Sequence, residues 1–217
     1  MEIRTGFRKQ LREIQDDVLA MGSMVEKTIT RSIEALKERD LEKADDIITG
    51  DVHINRKRFE IEEKCIQLIA TQQPMAGDLR AIICVLNIIT DIERIGDYSR
   101  GNAKIVRLIG DEPPLKPLID IPRMAEKTIS MLHRSLGALI NRDVDAAEQI
   151  AAEDDEIDDL YDLVFNELLS FMVEDPKTIL RATRLIWVAH NLERSADRVT
   201  NICERVVYMV TGKMEEI

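Results

Sequence analysis

Glu93 and Asp97 stand four residues apart in Asp91-Ile92-Glu93-Arg94-Ile95-Gly96-Asp97, and Glu193 and Asp197 repeat the spacing in Asn191-Leu192-Glu193-Arg194-Ser195-Ala196-Asp197. On a helix, carboxylates one turn apart project from one face and can share a cation. Acidic pairs at this spacing are no commoner than chance in a chain with 41 Asp and Glu among 217 residues, so spacing alone says nothing. Position does. At roughly 100° per residue, Ile82, Leu86, Ile89 and Asp97 all fall within about 40° of Glu93, which puts the pair on an apolar face. Ala182, Ile186 and Ala189 take the same arc around Glu193 and Asp197. Like charges at this spacing cost a few tenths of a kcal/mol, and burying an unpaired carboxylate costs several more.

Two accounts of the compensation are open. One is an internal ion-pair network through Arg94, Arg194, Arg80 and Arg184, in a metal-free scaffold or dimerisation module. The other is a bound metal ion. Asp154 and Asp158 are further donors; Asp154 shares its stripe with Ile150, Tyr161 and Phe165, and Asp51 and Asn55 hold the aligned positions a hundred residues earlier. Side chains offering only oxygen select hard cations such as magnesium, calcium, manganese or iron, singly or as a cluster. His190, three residues before Glu193, is the one histidine near a motif; the Glu-x-x-His pairs of di-iron bundles are absent. No nucleophile–base–acid set, phosphate-cradling glycine loop or dinucleotide fingerprint occurs, so the reading is of a protein that is not an enzyme.

The elements that position these acids are built twice. Met24-Val25-Glu26-Lys27-Thr28-Ile29-Thr30 matches Met124-Ala125-Glu126-Lys127-Thr128-Ile129-Ser130 at the same offset of 100, and Arg39-Asp40 matches Arg142-Asp143 at 103. Length differences therefore sit in loops between conserved elements. Leu11, Ile14, Val18, Met21, Val25, Ile29, Ile33 and Leu36 form one stripe, predicting a helix from near Phe7 to Glu38. Asp40 caps a second helix from Leu41 to about Gln73, and a third runs from about Asp78 to Leu108. The second unit repeats the plan from about Ile121 to Ile140, from Val144 to Val173 behind Asp143, and from Pro176 to about Val210. The expectation is an all-α chain of two tandem antiparallel three-helix bundles, six long helices in all. The first bundle spans residues 1–110, a proline-rich linker 111–120, and the second bundle 121–217.

Composition agrees: 45% hydrophobic residues against 4% aromatics favour helices with a substantial core. A formal charge of −11 argues against a nucleic-acid partner. Cys65, Cys84 and Cys203, odd in number and set in apolar stretches, read as core residues of a reducing cytoplasm, and the apolar run from Ala81 to Ile89 is too short to span a bilayer.

The duplicated plan, the segment Gln72-Gln73-Pro74-Met75-Ala76-Gly77-Asp78-Leu79-Arg80 and the two acidic blocks together resemble the PhoU family of phosphate-signalling regulators over essentially the whole chain. In that family acidic pairs on helix surfaces bind metal ions, iron clusters in some members. The resemblance implies that role for Glu93, Asp97, Glu193, Asp197, Asp154, Asp158 and, more weakly, Asp51. Tyr98 and Arg198 stand where a histidine is common, Asn102 falls one place later than the counterpart of Asn201, and Asn55 replaces an acid. The first unit is therefore expected to hold fewer metals, or hold them less tightly. The resemblance also implies a cytoplasmic, often homodimeric negative regulator. It would link the ATP-binding subunit of a phosphate ABC transporter to the sensor histidine kinase of the phosphate regulon, by protein contact and without turnover.

Overall fold

The computed structural model describes residues 2–214, with side chains placed from residue 6; residue 1 and residues 215–217 of the two expected units lie outside the described residues. Seven α-helices follow in order: α1 (Glu2–Glu38), α2 (Leu41–Gln72), α3 (Gly77–Ile109), α4 (Asp120–Asn141), α5 (Val144–Ala151), α6 (Asp154–Glu174) and α7 (Ile179–Thr211). A short 3₁₀ turn, Pro176–Thr178, leads into α7. No strand occurs among the described residues. The expected all-α duplicated plan is present, with α5 and α6 standing where one helix was predicted and α1 beginning five residues earlier.

The division of that fifth helix has a local cause. Four consecutive acids, Glu153 to Glu156, would repel one another in mid-helix. Here Ala152 and Glu153 form a turn, and Arg134 of α4 grips both Glu153 oxygens. Asp154, Asp155 and Glu156 then open α6, where the positive end of the helix dipole favours negative charge. Repulsion becomes a helix start, and Asp154 is aimed by a first turn, whereas its counterpart Asp51 sits inside an unbroken helix.

The corners are duplicated closely. Arg39 and Arg142 both adopt the left-handed conformation, at φ 57° and 56°. The next residues, Asp40 and Asp143, accept from the backbone N–H of Lys43 at 2.9 Å and Ala146 at 3.0 Å, each capping the helix that follows. Such caps are worth about 1 kcal/mol each.

All eight residues of the predicted α1 stripe are buried, and in α2 Ile47, Ile54, Ile61, Cys65 and Leu68 are buried as well. Gly50 does not interrupt α2. The units share one core. α3 lies along α7, and α1 along α4, so that the buried apolar residues of both units form a single cluster. At Gly22 the α1–α4 approach is close enough that a Cβ would collide with Leu136. The α3–α7 seam is antiparallel: Arg80 Nε donates to Met209 O (3.0 Å), Arg198 pairs with Asp91 (3.6 Å), and Asn191 Nδ2 donates to Asn102 Oδ1 (2.8 Å). The linker is pinned too, through Glu112 to Arg184 (3.3 Å), Lys116 to Glu167, and Leu115 and Leu118 against the core.

Candidate metal centres

Each unit brings its acids together across one helical hairpin, three in the first and four in the second. In the second unit Asp154 and Asp158 of α6 face Glu193 and Asp197 of α7. Burial and the neighbouring Asp197, Asp158, Glu193 and Asp155 push the Asp154 carboxyl from its ordinary 3.8 up to about 7. Burial likewise raises Asp158, reinforced by Asp197, and raises Glu193, reinforced by Asp197 and Asp158 against the opposing pull of Arg194. Among the described residues the close guanidinium is that of Arg194, 2.9 Å from Asp197. Asp154 Oδ1 and Glu193 Oε2 are buried without a hydrogen bond. His190 Nδ1 lies 3.3 Å from that Glu193 oxygen and packs between Tyr161 and Trp187, ring centroids 6.0 and 6.2 Å away.

The first unit keeps Asp51, Glu93 and Asp97 but has Asn55 in the place of Asp158, and its electrostatic setting differs. Asp51, 6% exposed, lies 3.1 Å from Arg100 Nη1 and accepts from Asn55 Nδ2 at 3.1 Å. Arg100 Nη2 donates to Asp97 at 3.1 Å, and Arg94 Nη1 donates to it at 3.2 Å. Glu93 is raised by burial and by Asp97, with Arg94 and Arg58 acting in the opposite direction. Arg58 also pairs with Glu62 at 3.0 Å.

Aligned at the offsets of the repeat, Arg100 corresponds to Thr200 and Arg58 to Tyr161. Thr200 turns its hydroxyl back onto Asp197 O at 2.7 Å. These two positions, like Asn55 against Asp158, were present in the sequence, yet nothing marked the arginines until the hairpin placed both beside the acids. Of the arginines expected to compensate the acids, Arg94 and Arg194 do so. Arg80 is directed to Met209 and Arg184 to Glu112.

As they lie, the side chains form open acidic clefts: no three or more His, Cys, Asp or Glu side chains among the described residues enclose an ion. All seven expected residues fall in the two clefts, half-buried along the helix seams, except that Asp51 is buried and Asp158 exposed. His53 is exposed, and His133 meets Glu26 at 3.3 Å. The three cysteines are buried and unpaired, with burial pushing the thiols of Cys65 and Cys203 up to about 12 and that of Cys84 to about 11. They are inert at neutral pH. Among the described residues no helix is long and apolar enough to cross a membrane.

Fold and site together define an all-α protein of two repeated helical units, each with an acidic cleft on its closing hairpin. The model of the PhoU domain matches residues 18–106 and 121–206, one match per unit. The phosphate-specific transport system accessory protein PhoU homolog of Clostridium acetobutylicum is 40% identical over 212 residues, 97% of each chain. The accessory protein PhoU of Escherichia coli K12 is 34% identical over 95% of this chain and 86% of its own. The crystal structure of the phosphate transport system regulatory protein PhoU from Streptococcus pneumoniae superposes with a TM-score of 0.90 at 32% identity, covering 97% of this chain and all of the other. The chain belongs to the PhoU family, whose named members are accessory and regulatory proteins, not enzymes.

Proposed function

We propose that this chain is a cytoplasmic, metal-binding accessory protein of phosphate-specific transport. It would restrain uptake and starvation signalling by contact with a transporter ATP-binding subunit and a sensor histidine kinase, as a homodimer. The relatives' names supply the pathway. The observation that carries the metal half is the pair of buried oxygens on Asp154 and Glu193 that accept no hydrogen bond, in a cleft whose acids raise one another's pKa. The donors fit a hard cation, because all are carboxylates. Asp154, Asp158, Glu193 and Asp197 would hold it. The ion would supply the positive charge that these residues lack, and ligation would tie α6 to α7. Asp51, Glu93 and Asp97 hold the corresponding positions of the first unit, with arginines beside them.

Contact with partners is supported by an exposed apolar strip beside the second cleft. Phe165, Leu169 and Val173 recur at four-residue steps on α6, and Trp187 on α7 is 57% exposed although it packs on His190, next to Glu193. A large aromatic left in water next to a charged cleft is an expected feature of a protein-contact surface.

The competing reading, a metal-free scaffold, is favoured by Asp51 and Asp97, which pair with Arg100. One experiment separates the two. Protein purified without chelator should carry metal that is lost, with affinity down at least about tenfold, in Asp154→Asn/Glu193→Gln/Asp197→Asn. It should also retain the transporter ATPase and the kinase in a pull-down that Trp187→Glu weakens. Equal metal in wild type and triple variant removes the site, and retention of neither partner removes the regulatory role.

A further inference from the structure

We propose that Arg100 is a tethered cation that fills the first unit's acidic cleft and excludes metal from it. This inference rests on the metal reading of the second cleft. Arg100 does more than join a single ion pair: its two terminal nitrogens each lie 3.1 Å from a different carboxylate, Asp51 of α2 and Asp97 of α3. Those carboxylates occupy the repeat positions of Asp154 and Asp197, which repel each other across the second cleft; there Arg194 reaches Asp197 alone, and among the described residues no cation bridges the two. A bridging guanidinium between α2 and α3 thus stands where the twin hairpin offers bare carboxylate oxygen.

The surroundings act in the same direction. Asn55 donates to Asp51 from within α2, Arg94 donates to Asp97 from within α3, and Arg58 is near enough to Glu93 to oppose its raised pKa. Asp51 is 6% exposed, so an entering ion would have to displace a guanidinium that already satisfies it and that cannot lose its proton. The counterpart Thr200 carries no charge, and its hydroxyl is committed to its own helix. Because Arg100 is covalently held, its effective concentration is that of an intramolecular partner, and free metal must outcompete a cation that is always present. The consequence is a protein with one exchangeable cleft and one permanently neutralised one.

The test is manganese(II) equilibrium dialysis on chelator-stripped full-length protein, with circular dichroism to verify folding. Arg100→Thr, which installs the residue of the second unit, should bind about one more manganese per chain than wild type. It should gain the same increment when the second cleft is disabled by Glu193→Gln/Asp197→Asn, and lose it again on addition of Asp97→Asn. Arg100→Lys, which keeps a cation, should behave as wild type. In chelator Arg100→Thr should melt about 4–8 °C lower than wild type, and manganese should restore most of that loss. Should Arg100→Thr fail to fold, Arg100→Gln, closer in volume, replaces it throughout.

Folded Arg100→Thr or Arg100→Gln with no added manganese overturns the inference. If wild type still binds manganese through Glu193 and Asp197, that failure leaves the second-cleft reading standing. If wild type binds none and the variant gains none, both readings fail.

Discussion

The two acidic clefts share a backbone plan and most of their acids, yet they present opposite electrostatics. In the second, burial and mutual repulsion lift Asp154, Asp158 and Glu193 together, and the Arg194 guanidinium stands beside Asp197. In the first, Arg100 and Arg94 converge on Asp97, and Arg100 and Asn55 on Asp51. Three differences between repeats, Arg100 against Thr200, Arg58 against Tyr161 and Asn55 against Asp158, account for the contrast. Duplication preserved the hairpin; charge placement distinguished its two copies. Carboxylates on a shared helix face are therefore not by themselves an ion site, and what stands opposite them decides.

Stability measurements can break this comparison. The largest effect should come from Asp51→Ala, which strips a buried partner from Arg100 while Asp97 retains it. The loss should be about 2 kcal/mol, read as a melting temperature about 4–8 °C lower. Asp154→Asn should do the opposite in metal-free protein. An unfolded aspartate releases its proton near 3.8, whereas the folded Asp154 holds its proton to about 7. Across that window the native state carries more protons than the unfolded chain, so this residue's contribution to stability falls as pH rises. In chelator, Asp154→Asn should melt above wild type at pH 8, and by a smaller margin at pH 5.5, because part of the window between 3.8 and about 7 has not yet been crossed there. A wild type that gains stability from pH 5.5 to 8 because of Asp154 would sink the electrostatic account.

The smallest effects should show where the units agree. Asp40→Ala and Asp143→Ala each remove a cap of the same geometry, and both should cost about 1 kcal/mol by denaturant titration. Unequal costs would mean that the corners are less alike than their dihedral angles.

Much of this was legible in the residues. The α1 stripe is buried from Leu11 to Leu36 as its three- and four-residue steps require, and Asp40 and Asp143 cap where their positions before apolar runs predict. The turn at Ala152 escaped the reading because apolar periodicity continues through it, from Ile150 to Ile157, and the brake is a distant arginine on α4. Arg100 escaped for a similar reason. On α3 alone it is one cation three residues after Asp97, and only α2 supplies the second carboxylate that turns an ordinary helix pair into a bridge.

The amino-acid order by itself determined the helices, their duplication and the family, because periodicity, caps and repeat offsets act over a few residues along one chain. The tertiary structure decided which acids are neutralised and which are left raised. Coulomb interactions depend on distances across neighbouring helices and on the water removed between them, and no linear spacing encodes either.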